Sequence, residues 1–336
     1  MEFTTGGRLE VHITRADVGK RVSVRRLLDA GEGAAGFTDT VGVLTSWDGG
    51  VLSITRRTGE TVRIPEAALV AGKTVPAAPA RRRSPATSTP ELDRVAARGW
   101  PPVESEWLGE WQLRAGAGFT RRANSVAAAG DPGLPLDAAL DRVRAWYAER
   151  SLPAYVQLST GAQGAQEDLA AELDRRGWTR EATAELRTAA LAPIGDLDAD
   201  VSRVALTREI GPDWLRRYRR SAEPGPEVLK VLRGGPSVWF ASVPDDDGDV
   251  AAIGRCVVDG RWAGFAAVEV GMEHRRRGLA SAVMAALARK ALDEGASAAY
   301  LQVETDNESA RALYDGLGFV THHHYHHWRA SQGGPS

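Results

Sequence analysis

The chain reads as an α/β (α+β) fold used twice in tandem, a mixed central sheet flanked by helices, behind a small all-β SH3-like barrel. Three observations predict this. Short alternating segments with turn signals between them dominate the first 75 residues. A stretch rich in Pro, Ala and Arg, 76–90, then interrupts all periodicity. Beyond it one pattern occurs twice: Ala154-Tyr-Val-Gln-Leu-Ser-Thr160 and Ala299-Tyr-Leu-Gln-Val-Glu-Thr305 agree at four of seven positions, with two more conservative. A repeat at domain scale points to two copies of one fold. The expected divisions are a barrel over 1–75, a linker over 76–90, a first copy over 91–195, a second over 196–330 and a disordered tail over 331–336.

In the barrel, Arg21-Val-Ser-Val24 and Thr38 to Thr45 alternate as strands do. Asp48-Gly-Gly50 is a hairpin turn before Val51 to Thr55, and Gly59-Glu60 another before Thr61 to Ile64. Such small barrels bind peptides, bind nucleic acids or only pack. Trp47 is the aromatic expected to be exposed for binding. Residues 1–90 carry thirteen Lys/Arg against nine Asp/Glu, but Arg81, Arg82 and Arg83 are read as solvated linker charges. The linker itself should be flexible and partly extended.

Composition limits the class. With 43% apolar residues, 26% charged residues and a net charge of −2, the chain is globular and lacks a broadly basic surface. Nucleic acid is therefore only a weakly indicated partner, and through the barrel alone. No apolar run is long enough to span a membrane, and Met1-Glu-Phe-Thr-Thr-Gly-Gly lacks a basic region followed by an apolar core, so no signal peptide is expected. The single cysteine, Cys256, excludes an internal disulfide and reads as a small buried residue. A cytoplasmic protein is expected.

The chemistry concentrates in the second copy. Gly264 to Val270 reads as a strand, Arg275-Arg276-Arg277-Gly278-Leu279-Ala280 as a turn, and Ser281 to Asp293 as a helix. A helix N-terminus offers unpaired amides and partial positive charge. Glycine lets the backbone approach a ligand, and arginine supplies fork-shaped donors for phosphate oxygens. The segment is an anion cradle suited to pyrophosphate. Its spacing is neither Gly-x-Gly-x-x-Gly nor Gly-x4-Gly-Lys-Ser/Thr. A second strand follows at Ala298 to Val303, then the capping cluster Glu304-Thr-Asp-Asn307. The helix Glu308 to Leu317 places Ala310, Leu313, Tyr314 and Leu317 on one face, and Gly318 ends it before Phe319 opens a last strand.

Arg275-x-x-Gly278-x-Ala280 resembles the Arg/Gln-x-x-Gly-x-Gly/Ala signature of the GNAT superfamily of N-acetyltransferases. Asn307-x-x-Ala310-x-x-Leu313-Tyr314-x-x-Leu317-Gly318-Phe319 is similar to its C-terminal motif, and the resemblance covers about Val201 to Arg329. It implies acetyl-CoA as cosubstrate and no metal. Val268, Glu269 and Val270 would lie on the splayed strand that bonds the pantetheine arm. Arg275, Arg276, Arg277, Gly278, Leu279, Ala280 and Ser281 would hold the pyrophosphate. Asn307 would bond the pantetheine or hold the splayed strand. Tyr314 stands where the family has its general acid; a phenol of pKa ~10 can protonate a departing thiolate of pKa ~8.5. Glu269 is the first candidate base, with Glu304 and Asp306 behind it. Some members carry an acid earlier on this strand, where this chain has Trp262-Ala-Gly-Phe-Ala266, so a structural Glu269 facing solvent stands beside the catalytic one.

The first copy has lost this equipment. Gly130-Asp-Pro-Gly-Leu-Pro135 replaces the arginine turn, and no tyrosine matches Tyr314. It should buttress the active copy and wall part of the acceptor cleft, with Arg114, Arg121, Arg122 and Asn124 as polar candidates. In Thr321-His-His-His-Tyr-His-His-Trp328, strand alternation would put His322, His324 and His326 on one face and His323, Tyr325 and His327 on the other. These read as pocket or surface residues rather than metal ligands.

The whole arrangement resembles actinobacterial tandem-GNAT proteins with an SH3-like module, some labelled histone acetyltransferases. The expected reaction is direct acetyl transfer to a primary amine, either a protein lysine or a small molecule. The tandem form, similar to mycothiol synthase, favours the small amine; the barrel favours the protein. The alternative is an acetyl-CoA sensor whose barrel binds a partner. Oligomeric state is not legible in the sequence.

Overall fold

The computed structural model describes residues 11–27, 37–56, 61–75, 85–218, 224–245 and 249–331. Residues 76–84 of the expected linker, the Gly59-Glu60 turn and residues 332–336 of the tail lie outside the described residues. The chain divides into two compact units, 1–81 with 196–204, and 82–195 with 205–336.

The first unit is all β. It comprises β1 (Arg21–Leu27), β2 (Phe37–Asp48), β3 (Val51–Thr55), β4 (Thr61–Pro65) and β5 (Leu69–Thr74), in the order β4-β3-β2-β1-β5. Alternation sends Val22, Val24, Leu44, Leu52, Ile54 and Ile64 into one core, each wholly shielded from solvent. Gly42 lets the sheet close tightly, since a Cβ there would lie 2.5 Å from the Thr55 carbonyl oxygen. Trp47 corrects the expectation of an exposed aromatic. It is only 7% exposed, and its Nε1 donates to Glu66 Oε2 at 3.1 Å. The segment 196–204 joins this unit through Asp196, 2.7 Å from Arg21, and Asp198, 3.2 Å from Arg56.

The second unit begins with α1 (Thr89–Gly99), β6 (Glu104–Leu108), β7 (Trp111–Ala115), β8 (Val126–Ala127), α2 (Leu136–Glu149), β9 (Tyr155–Thr160), α3 (Glu167–Arg175), β10 (Thr179–Ala190) and α4 (Leu191–Gly195). It continues with β11 (Ala205–Thr207), α5 (Pro212–Arg217), α6 (Pro226–Arg233), β12 (Ser237–Pro244), β13 (Val250–Asp259), β14 (Trp262–Val270), α7 (Leu279–Asp293), β15 (Ala298–Glu304), α8 (Glu308–Gly316) and β16 (Val320–Arg329). All its strands form one eleven-stranded sheet, ordered β11-β12-β13-β14-β15-β10-β16-β9-β8-β7-β6.

The centre of that order carries the architecture. β10, from the first copy, lies between β15 and β16 of the second, antiparallel to both. β16 in turn pairs with β9 of the first copy. Each copy therefore lends its last strand to the other, and the repeat seen in the sequence becomes β9 and β15 in matching positions. The copies cannot separate into two compact bodies.

Helices cover both faces. Ile253 packs with residues of α5 and α6 such as Trp214 and Val231. A Cβ on the next residue, Gly254, would instead meet Val283 at 2.4 Å and Leu287 at 3.1 Å, so α7 lies on the opposite face. α1 shares the α5–α6 side, where Leu92, Val95 and Ala96 meet Trp262 and Tyr300. Under the first copy, Trp111, Trp146, Tyr147 and Trp178 fill a separate core. Burying a large side chain of this kind contributes on the order of 1.5–3 kcal/mol.

Candidate active site

β14 and β15 run parallel for four pairs, Trp262↔Ala298 to Phe265↔Leu301, and then part. The cause is local. Ala267 takes φ 52°, a left-handed conformation unusual for alanine, and the register with β13 shifts there. Beyond this bulge β14 keeps β13 as a neighbour up to Ala252↔Val270, and among the described residues no strand lies on its other edge. The backbone groups of Val268, Glu269 and Val270 on that edge face a gap. These three residues are half-buried. Glu269 stands opposite Ile253, and paired residues share a face, so its side chain belongs to the α5–α6 side.

The strand leads directly into the arginine turn. Gly271 N–H closes on the Ala251 carbonyl at 2.9 Å, and a short turn, Met272–His274, follows. Arg276 has φ 61° and Gly278 φ 77°, so two left-handed residues reverse the chain into α7. Gly278 is the N-cap and no side chain caps the helix, which leaves the amides of Leu279, Ala280 and Ser281 at an open N-terminus. A Cβ on Gly278 would meet nothing within 4 Å, so the glycine answers the backbone angle and faces open space. Arg275, Arg276 and Arg277 are exposed, and no carboxylate among the described residues pairs with them. Three free guanidinium groups at an open helix N-terminus are electrostatically prepared for a polyanion.

On the other flank of the gap stands α8. Asn307 is its N-cap, and its Oδ1 accepts the Ala310 N–H at 3.1 Å. Its side-chain oxygen is thus committed to the helix. The predicted face, Ala310, Leu313, Tyr314 and Leu317, is the more covered one, yet only Leu317 is buried. Tyr314 is half-buried, with its ring centroid 5.8 Å from that of Phe319 in an edge-on packing. Glu304 and Asp306 are exposed. The structure thus brings β14, the turn and α8 around one gap.

The first copy repeats the gap but closes it. β8 and β9 pair only at Val126↔Val156 and Ala127↔Gln157. Gln166 then bridges them: the Ser159 N–H donates to its Oε1 at 2.7 Å, and its Nε2 donates to the Ala128 carbonyl. In place of arginines, Asp131 folds onto the Gly133 N–H at 2.7 Å and Glu110 accepts the Asp131 N–H at 2.7 Å. Counting back from Gly177-Trp178 as from Gly318-Phe319, Leu173 matches Tyr314, and it is wholly buried.

Of the polar acceptor candidates, Asn124 is corrected to a structural role. Its Oδ1 accepts from Gly116 and Gly118 N–H at 2.9 and 3.0 Å, and its Nδ2 donates to the Phe119 and Thr120 carbonyls at 2.9 and 2.8 Å. Arg114 is 2% exposed and donates to the Ser125 carbonyl, the Ser125 hydroxyl and Gln157 Oε1. Burial pushes its guanidinium down to about 10. Arg122 stacks 4.4 Å over Trp100 and donates to Gln302, while Arg121 is exposed. Gln157 and Gln302, equivalent in the repeat, line one cavity of about 30 Å³ with Asp93 and Arg122. That is room for about two waters. Neither glutamine was singled out in the sequence, although both stand in the repeated strand.

The histidine tail departs from simple alternation. Leu186 pairs with His323 and Arg187 with Thr321, so His322 is a bulge residue. His322 and His323 consequently meet, Nδ1 to Nδ1 at 2.8 Å, and His323 Nε2 lies 3.0 Å from Asp93. His326 lies between the Thr160 and Thr183 hydroxyls at 2.7 and 2.9 Å, and burial lowers its pKa to about 4. Among the described residues no three His, Cys, Asp or Glu side chains are placed to hold a metal ion. Cys256 is buried, which pushes its thiol up to about 12.

Residues 87–328 match the protein family described as probable histone acetyltransferase Rv0428c C-terminal, and residues 16–73 match the Rv0428c N-terminal Sm-like domain. The probable histone acetyltransferase Rv0428c of Mycobacterium tuberculosis is 29% identical over 318 residues, 91% of this chain and 93% of that protein. The uncharacterized N-acetyltransferase YobR of Bacillus subtilis is 29% identical over 244 residues, 70% of this chain and 96% of its own length. Among solved structures, a GCN5-related N-acetyltransferase from Kribbella flavida matches 74% of this chain and 98% of its own, with TM-score 0.54 at 17% identity. A tandem GNAT protein from the clavulanic acid biosynthesis pathway matches 77% and 92%, with TM-score 0.52 at 14% identity, which again shows the fold. Carrying the strand parting, the open arginine turn and both matched domains, the chain is an N-acetyltransferase and belongs to the Rv0428c-type histone acetyltransferase family.

Proposed function

We propose that the second copy binds acetyl-CoA in the gap between β14 and β15 and moves its acetyl group directly to a primary amine. The observation that carries this reading is the continuity of three features: a strand edge from which the neighbouring strand has parted, an open helix N-terminus, and three arginines that no carboxylate among the described residues pairs with. The backbone of Val268, Glu269 and Val270 would bond the pantetheine arm. Arg275, Arg276 and Arg277, with the amides of Gly278, Leu279, Ala280 and Ser281, would hold the pyrophosphate. Asn307 would serve indirectly, by holding the start of α8 beside the arm.

The amine nitrogen attacks the thioester carbonyl, the tetrahedral intermediate collapses, and the carbon–sulfur bond breaks. The leaving thiolate takes the proton of the Tyr314 hydroxyl. The new amide nitrogen loses its proton to Glu269, directly or through water. Most of the acceleration comes from holding amine and thioester together. The acceptor is a protein lysine or a small amine. The name carried by the Mycobacterium relative supports the lysine, and the tandem fold supports the small amine. A cytoplasmic setting completes the proposal.

The test is release of free thiol from acetyl-CoA against lysine-rich proteins and a panel of small amines. Turnover on one class names the acceptor. Acetyl-CoA binding by calorimetry without turnover on any of them would replace the enzyme reading with the sensor.

A further inference from the structure

β10 reaches further into the active copy than strand pairing requires. It carries two charged residues that are almost fully buried, Glu185 at 4% and Arg187 at 5% exposure, and both grip α8. Arg187 Nη1 donates to the Arg311 carbonyl at 3.3 Å and Nη2 to the Phe319 carbonyl at 3.1 Å, and the same Nη2 pairs with Asp315. Glu185 Oε1 accepts from Arg311 Nη2 at 2.9 Å, and its Oε2 accepts from the Thr321 hydroxyl at 3.2 Å. The two side chains also lie 3.5 Å apart. Arg311 closes the set by donating to the Thr305 carbonyl at 3.3 Å.

These contacts bracket Tyr314. Arg311 and Asp315 lie one turn before and one residue after it, and Phe319 supports its ring. The matching helix of the first copy, α3, is treated differently. The exchanged strand there presents Trp328, which packs in the apolar core with Leu169 and Ala170. An apolar contact is enough to anchor a helix. Buried ion pairs are poor stabilisers for their desolvation cost, but their geometry admits one orientation.

We propose that Glu185 and Arg187 are positioning residues for the transfer reaction: the silent copy sets the rotation and depth of α8, and through it the Tyr314 hydroxyl. This rests on the reading of Tyr314 as the acid that protonates the leaving thiolate. The silent copy is then a working part of the active site.

The experiment is a double-mutant cycle on full-length protein, with Arg187→Gln and Tyr314→Phe singly and together, reading kcat, KM for acetyl-CoA and the pH profile of kcat. Arg187→Gln should lower kcat roughly ten- to a hundredfold with KM unchanged and move the basic limb of the profile. In the Tyr314→Phe background the same change should cost less than about twofold, since nothing is left to position. Equal cost in both backgrounds overturns the positioning role while Tyr314 stands. A Tyr314→Phe variant as fast as wild type overturns both. If Arg187→Gln fails to fold by circular dichroism, Asp315→Asn, whose side chain is 64% exposed, replaces it in the cycle. Restored kcat in Asp315→Glu then supports the proposal, and a kcat indifferent to either Asp315 variant overturns it.

Discussion

The two copies share a fold and differ in what fills the same gap. In the second copy β14 and β15 part and lead to an uncapped α7 with three arginines that no carboxylate among the described residues pairs with. In the first, the β8–β9 parting is bridged by the Gln166 carboxamide, and Asp131 and Glu110 occupy the approach. Leu173, wholly buried, takes the position of half-buried Tyr314. Parted strands leave backbone donors and acceptors that need partners. The first copy supplies them from its own Gln166 side chain; in the second, the parted edge is where acetyl-CoA is proposed to bind. The fold is thus kept in both copies, which differ in a bridging glutamine and in the positive charge at the turn.

The largest test of this contrast is Gly278→Val. A β-branched residue at φ 77° is strained, and its side chain would enter the cradle. The dissociation constant for acetyl-CoA should rise on the order of a hundredfold, about 2.8 kcal/mol. Unchanged affinity by calorimetry would falsify the cradle. Next come Arg275→Gln and Arg277→Gln, each expected to weaken binding about tenfold, with the loss shrinking as salt is raised. Equal losses at low and high salt would mean that the arginines do not meet phosphate.

Gln166→Ala sharpens the other side. It leaves the Ser159 N–H and the Ala128 carbonyl unpartnered, at about 1–3 kcal/mol of unfolding free energy, while acetyl-CoA affinity stays as it was. A shift in that affinity would show that the first copy takes part in binding acetyl-CoA. The smallest effect concerns His326 at the exchange. Its pKa falls from 6.5 to about 4 in the folded protein. Between those values the unfolded chain binds more protons, so stability should drop as pH falls from 6.5 towards 4. His327, which burial pushes down to about 3, adds to the same slope, so His326→Gln should reduce the slope in melting temperature against pH without abolishing it, and an equal slope in both proteins would remove His326 from the account.

The legible parts were local. Gly278 announced a turn before the helix because glycine lets the backbone bend closely, and the structure gives it φ 77°; Asn307 announced a helix start because its side chain can cap. The bulges at Ala267 and His322 were hidden, since neither residue type signals one. Trp47 was misjudged because its position beside a turn says nothing of Glu66, nineteen residues on. Asn124 looked like a surface contact until its four partners, two amides and two carbonyls, came together in one loop.

By itself the sequence determined the repeat, the glycine- and arginine-rich turn ahead of α7, its absence from the first copy and the small β unit that precedes both in the chain. Each rests on residue types within one short window, where side-chain and backbone preferences act directly. Only the tertiary structure decided that β10 and β16 change places, that Gln166 fills the empty gap, and that Glu185 and Arg187 belong to α8. An antiparallel strand makes equivalent backbone bonds to many neighbours, so its own residues do not name the partner. The choice falls to packing and buried charge brought together from distant parts of the chain.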